Sequence, residues 1–103
     1  MVVYTSWDWH VTPGREAEFV EAWSKFAQRS RRDVDPTVHA TLLRDDSDAS
    51  HFMSVGSWHD LDMLDHWRQS MGFETDMARL EGMCETMKFM TLKVAAHAGP
   101  PVV

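Results

Sequence analysis

Hydrophobic and polar positions alternate from the start of the chain. From Val2 to Val11, Val3, Thr5, Trp7, Trp9 and Val11 alternate with Tyr4, Ser6, Asp8 and His10, and most are β-branched or aromatic. A period of two with that composition predicts a strand with two different faces. Thr12-Pro13-Gly14 breaks it, with Thr12 as a helix N-cap, Pro13 at the first helical position and Glu16 completing a loose capping box. Phe19, Trp23, Phe26, Ala27 and Ser30 then recur at helical spacing, predicting a first helix that ends near Arg31 or Arg32. Asp33 to Pro36 carries turn chemistry, Thr37 to Arg44 returns to the strand pattern, and Asp45-Asp46-Ser47-Asp48 is a polar connector of hairpin length. His51 to Trp58 reads as a third strand, antiparallel to the second because so short a loop does not cross over. Leu61, Leu64, Trp67 and Arg68 begin a helical stripe, Met71-Gly72 interrupts it, and Phe73, Met77, Leu80 and Cys84 form another. Thr86 to Ala95 closes the series as a last strand.

The order β-α-β-β-α-β is the split βαβ arrangement of a ferredoxin-like α+β fold, one antiparallel sheet with its helices on one face. A second apolar sheet face in so short a chain predicts a homodimer in which two sheets meet as a barrel. At 103 residues there is room for one core, so residues 1–97 are read as the domain and 98–103 as an extended tail.

Composition narrows the partners. The formal charge of −6 repels phosphate backbones and anionic lipid, which disfavours nucleic acid and membrane surfaces. Cys84 is the single cysteine, so an intrachain disulfide and a Cys-rich zinc site are excluded. No leader pattern precedes the first strand and no apolar run has membrane-spanning length, so a cytoplasmic protein is expected. The five glycines stand apart, without a phosphate loop or dinucleotide fingerprint, and no nucleophile elbow is present. Cys84 reads as a structural thiol on the inner stripe of the last helix, and the Asp45 to Asp48 run as a solvated hairpin tip. The six histidines form no metal-ligand spacing, and no metal site is assigned. His39 and His51 are the pair that a hairpin would bring face to face, supplying two ligands where three are usual.

Five tryptophans and eight methionines are more large soft side chains than a small core readily buries. Trp7 and Trp9 share a face of the first strand, Trp58 ends the third, and Trp23 and Trp67 lie on helical stripes. Trp23 reads as core. Trp7, Trp58 and Trp67 are equally readable as core or as the lining of a pocket for a planar ligand.

The strand-end tryptophan of Ser57-Trp58-His59-Asp60, followed by Trp67-Arg68-Gln69-Ser70 and Phe73 in the pattern W-x-x-S-x-x-F, resembles the antibiotic biosynthesis monooxygenase family. Thr12-Pro13-Gly14 after the first strand and the element order extend the resemblance over nearly the whole chain. It implies a dimeric α+β barrel and, in one branch, cofactor-independent oxygenases of polyketide anthrones or quinols; another branch degrades heme. The same resemblance matches Trp58 to the pocket tryptophan of the polyketide oxygenases and Trp67 to the helix tryptophan that presses on porphyrin in the heme branch. Met77 stands where that branch has its iron-ligating histidine, and Trp7 where it has a pocket asparagine. Ser54 occupies a polar strand position four residues before Trp58.

The resemblance implies cofactor-free oxidation of a small aromatic substrate by O2, with Trp7, Trp58, Trp67, Ser54 and Met77 expected to bind it. The substrate is deprotonated and reduces O2 directly. His66, beside Trp67, and His39 are the candidate bases, since a free imidazole titrates near neutrality. The alternative is a dimeric barrel that binds a small aromatic or apolar ligand without turning it over, and the third reading is heme binding or degradation.

Overall fold

In the computed structural model, which describes residues 2–100, the first alternating segment is strand β1, Val3–Val11. Val3, Thr5, Trp9 and Val11 on one side of it are buried. Thr12-Pro13-Gly14 is not the first helical turn as predicted. Gly14 adopts a φ of 96° and the Arg15 N–H donates to Thr12 O at 3.0 Å, which makes a tight turn. Helix α1 therefore runs Glu16–Asp33 with Arg15 at its cap. Freed from a capping box, the Glu16 carboxylate accepts from the Gly14 N–H at 2.8 Å and the Ser50 hydroxyl at 2.6 Å.

An Asp35 turn delays the second strand, because Asp35 Oδ1 accepts from both the backbone N–H and the hydroxyl of Thr37. Strand β2 is His39–Arg44 and β3 is His51–Trp58. Helix α2, Leu61–Arg68, starts at a true cap, with the Asp60 side chain accepting from the Met63 N–H at 2.9 Å. Gly72, at a φ of 88°, turns the chain where the helical stripe is interrupted, and α3 follows as Phe73–Gly82. Strand β4, Cys84–Lys93, begins earlier than predicted and takes in Cys84, which is a half-buried strand residue and not part of a helix stripe. Burial pushes its thiol up to about 11. Residues 94–100 form no helix or strand, and the rest of the predicted tail, 101–103, lies outside the described residues.

All neighbouring strands are antiparallel in the order β2-β3-β1-β4, a ferredoxin-like α+β fold. Trp9, Phe19, Phe52, Leu64 and Leu80 fill the layer between sheet and helices. The other face of the sheet carries Leu43, Met53, Met90 and Leu92, each at least 40% exposed. No helix among the described residues is long and apolar enough to cross a membrane.

Candidate active site

Between α1, α2 and the sheet lies a half-open cleft with a cavity of about 40 Å³. Its aromatic walls are Trp7, Trp23, Phe26, Trp58 and Trp67. Each has a local reason to be there. Trp7 is an inward position of β1, opposite Ser54 on β3 and Phe89 on β4. Trp58 ends β3, and its indole lies 4.6 Å from that of Trp67 on α2. Phe73 meets Trp67 edge-on at 4.7 Å, and Phe26 packs on both, 5.6 Å from Trp67 and 6.1 Å from Phe73, so the W-x-x-S-x-x-F spacing builds one aromatic wall across the α2–α3 break. Ser70 of that pattern donates its hydroxyl to Trp67 O at 2.6 Å, closing α2.

The polar groups of this layer are nearly all spent on one another. Trp58 Nε1 donates to Thr5 Oγ at 3.2 Å, Trp67 Nε1 to Ser30 Oγ at 2.7 Å, and Trp9 Nε1 to Ser54 Oγ at 3.0 Å. Ser30 in turn donates to Phe26 O. Three indoles are thereby locked by three hydroxyls, and among the described residues no buried side-chain nitrogen or oxygen lacks a partner. Gly56 admits the Trp58 indole, since a Cβ there would stand 3.1 Å from Thr5 Oγ and 3.6 Å from Trp58 Nε1. Trp7 and Trp23 are half-buried, and their N–H groups have no acceptor among the described residues.

The residues selected from sequence separate on inspection. Trp7, Trp58, Trp67 and Ser54 all line the cleft. Met77 does not: it is buried on α3 in the core, because the stripe it shares with Leu80 faces the sheet below the cleft. His66 is on the exposed side of α2, and His39 is exposed on the far face of the sheet, paired with Ser57. Neither lines the cleft, and among the described residues no side chain that titrates near neutrality does. Trp23, read as core, and Phe26 are wall residues not expected from the sequence; their place on the apolar stripe of α1 gave no sign that the stripe is left partly uncovered.

His39 and His51 do not face each other across the hairpin, because the register sets His39 opposite Ser57 and Arg44 opposite Phe52. His51 instead pairs with His10 of β1, their rings stacked at 4.4 Å. Its two ring nitrogens meet Asp45, at 2.8 Å, and Asp8. Asp45 is thus an ion-pair partner and not merely part of a solvated tip, and hydrogen bonds from His51 and Ser47 draw its carboxyl down to about 2.

Comparison with known proteins fits this architecture. The structure of a point mutant of SnoaB, a cofactor-independent oxygenase from Streptomyces nogalater, matches with a TM-score of 0.84 at 20% identity, covering 93% of this chain and 95% of that one. A conserved protein from Methanosarcina mazei Go1 matches at 0.81 and 12% identity, over 90% and 92% of the two chains. Rv0793 from Mycobacterium tuberculosis matches at 0.80 and 12% identity, over 96% and 100%. At such identities the likeness is one of fold. No curated protein sequence matches. The model of the antibiotic biosynthesis monooxygenase family matches residues 2–79, the stretch that builds both walls of the cleft, and the chain belongs to that family.

Proposed function

We propose that the chain is a cofactor-independent monooxygenase that oxidises a small anthrone- or quinol-like aromatic with O2. The observation that carries this reading is a cleft walled by Trp7, Trp23, Phe26, Trp58 and Trp67 and lined, among the described residues, by no group that titrates near neutrality. Flat aromatic walls suit a planar substrate, on which an aromatic ring can stack. With no base at hand, the substrate must ionise by its own acidity. For an anthrone, the methylene carbon loses a proton to solvent water at the open side of the cleft, and the carbanion passes an electron to O2. Recombination forms a C–O bond, and the peroxide, once protonated, loses water as its O–O bond breaks, leaving a carbonyl. One oxygen atom enters the product, the other leaves as water, and the substrate supplies all the electrons. The free indole N–H groups of Trp7 and Trp23 are the donors available to an oxygen of the bound anion.

The cavity is smaller than a tricyclic substrate, so its walls must part on binding, and Trp7 and Trp23 are the two tryptophans of the wall that are not fully buried. The apolar outer face of the sheet, with Leu43, Met53, Met90 and Leu92, supports a homodimer closed face to face. The lone thiol suits the cytoplasm.

Incubation with an anthrone or quinol in air, with EDTA and no added cofactor, tests the reading by O2 uptake and quinone absorbance. Turnover above the uncatalysed rate is expected. The absence of a titratable group in the cleft also favours a second reading, a barrel that binds the aromatic without oxidising it. Quenching of tryptophan fluorescence by the anthrone with no O2 uptake would select it and overturn the first.

A further inference from the structure

On the sheet face opposite the cleft, the pairing of β1 with β3 gathers Asp8, His10 and His51 so that one ligand atom from each lies within 4.8 Å of the others. We infer that these three side chains bind a divalent transition-metal ion of the Zn2+ class, with Asp45 as the residue that orients His51. Two imidazoles and a carboxylate are a donor set that suits zinc, cobalt or nickel and leaves a position for water.

Three features support the site. His51 Nδ1 is held by Asp45 Oδ2 at 2.8 Å, which leaves Nε2 as the ligating nitrogen, directed at Asp8. A carboxylate behind a ligating histidine is the usual outer support of such sites. His10 Nε2 is 3.7 Å from Asp8 Oδ2, close to the ~3.4 Å that separates two ligands of a tetrahedral zinc with bonds of about 2.1 Å. The His10 ring stacks on His51 at 4.4 Å at the hairpin end of the β1–β3 pair, and a rotation of that ring brings its Nε2 toward Asp8 and the ion. Two features oppose binding: the ion must replace the proton shared by His51 Nε2 and Asp8 in their direct hydrogen bond, and Lys88 stands opposite Asp8 in the β1–β4 register.

Titration of the untagged, metal-free chain with Co2+, followed by visible absorption, tests the site. One Co2+ per chain is expected, displaced by Zn2+. H10A and H51A should each weaken binding by about tenfold or more, and D45N by about 10–100-fold with a changed Co2+ band pattern. K88A should bind as well or better, and H97A should bind unchanged. Because H51A removes a half-buried side chain, far-UV circular dichroism checks its fold, and H10A serves as the safe variant. Wild type binding no tighter than the H10A/H51A double variant would overturn the site, as would loss of binding in H97A.

Discussion

Trp67 and Ser30 show how the aromatic wall is held at single-residue scale. The indole N–H and the hydroxyl are both buried, so Ser30→Ala strands a donor where water does not reach, at a cost of ~1–3 kcal/mol. Thr5→Val does the same to Trp58 at nearly constant volume, with a similar loss. Urea unfolding measures both. In a Trp67→Phe/Ser30→Ala cycle the double variant should lose less than the sum of the singles, a coupling of ~0.5–3 kcal/mol. The His51–Asp45 pair sets a pH signature in the metal-free chain. Asp45 is lowered to about 2 by its hydrogen bonds, so its contribution is present above the ordinary carboxylate range and is lost as pH falls from about 4 toward 2. His51 is raised, first by Asp45 and then by Asp8, so its contribution is complete below about 6.5 and is lost as pH rises through its folded value. Thermal melts across this range should show Asp45→Asn flattening both limbs. The tryptophans that could line a pocket were legible in the sequence, since their types and faces followed from spacing alone. Their hydroxyl partners were not, because Thr5 and Trp58 are joined only by strand register.

Among the elements, β3 and the α2–α3 break do most to place the wall. Gly56→Ala would press a methyl group to 3.1 Å of Thr5 Oγ and disturb the bond to Trp58, for an expected ~1–3 kcal/mol of destabilisation. Gly72→Ala forces a φ of 88° on a residue with a side chain, costing ~1 kcal/mol or more and loosening Phe73 against Trp67. A drop in melting temperature for both, with a red-shifted tryptophan emission for Gly72→Ala, is the expected outcome. The strands, the helix break and their order followed from periodicity, which survives packing. Boundaries failed where a side chain captured a backbone group, as Asp35 does with Thr37, or where a turn competed with a cap, as at Thr12. Cys84 was misplaced because a helical and a strand stripe overlap at Met83 and Cys84. The two candidate bases lie away from the cleft for a different reason: spacing shows which face a residue takes, but not which face the cleft occupies.

The whole molecule is a slab 18 Å thick and 38 Å long, one layer of helices on one sheet. The sheet is left bare on one side, where Leu43, Met53, Met90 and Leu92 are each at least 40% exposed. Sedimentation should therefore give a dimer, and Met53→Glu, on the bare face and away from the cleft, should shift it toward monomer. An aromatic cleft without a base predicts that ionisation belongs to the substrate, and the pH dependence of O2 uptake tests this most directly. With two anthrones of different acidity, the inflection in kcat/KM should move with the substrate's own pKa. An inflection that stays fixed for both near the pKa of a histidine, and vanishes in His39→Ala or His66→Ala, would contradict the account.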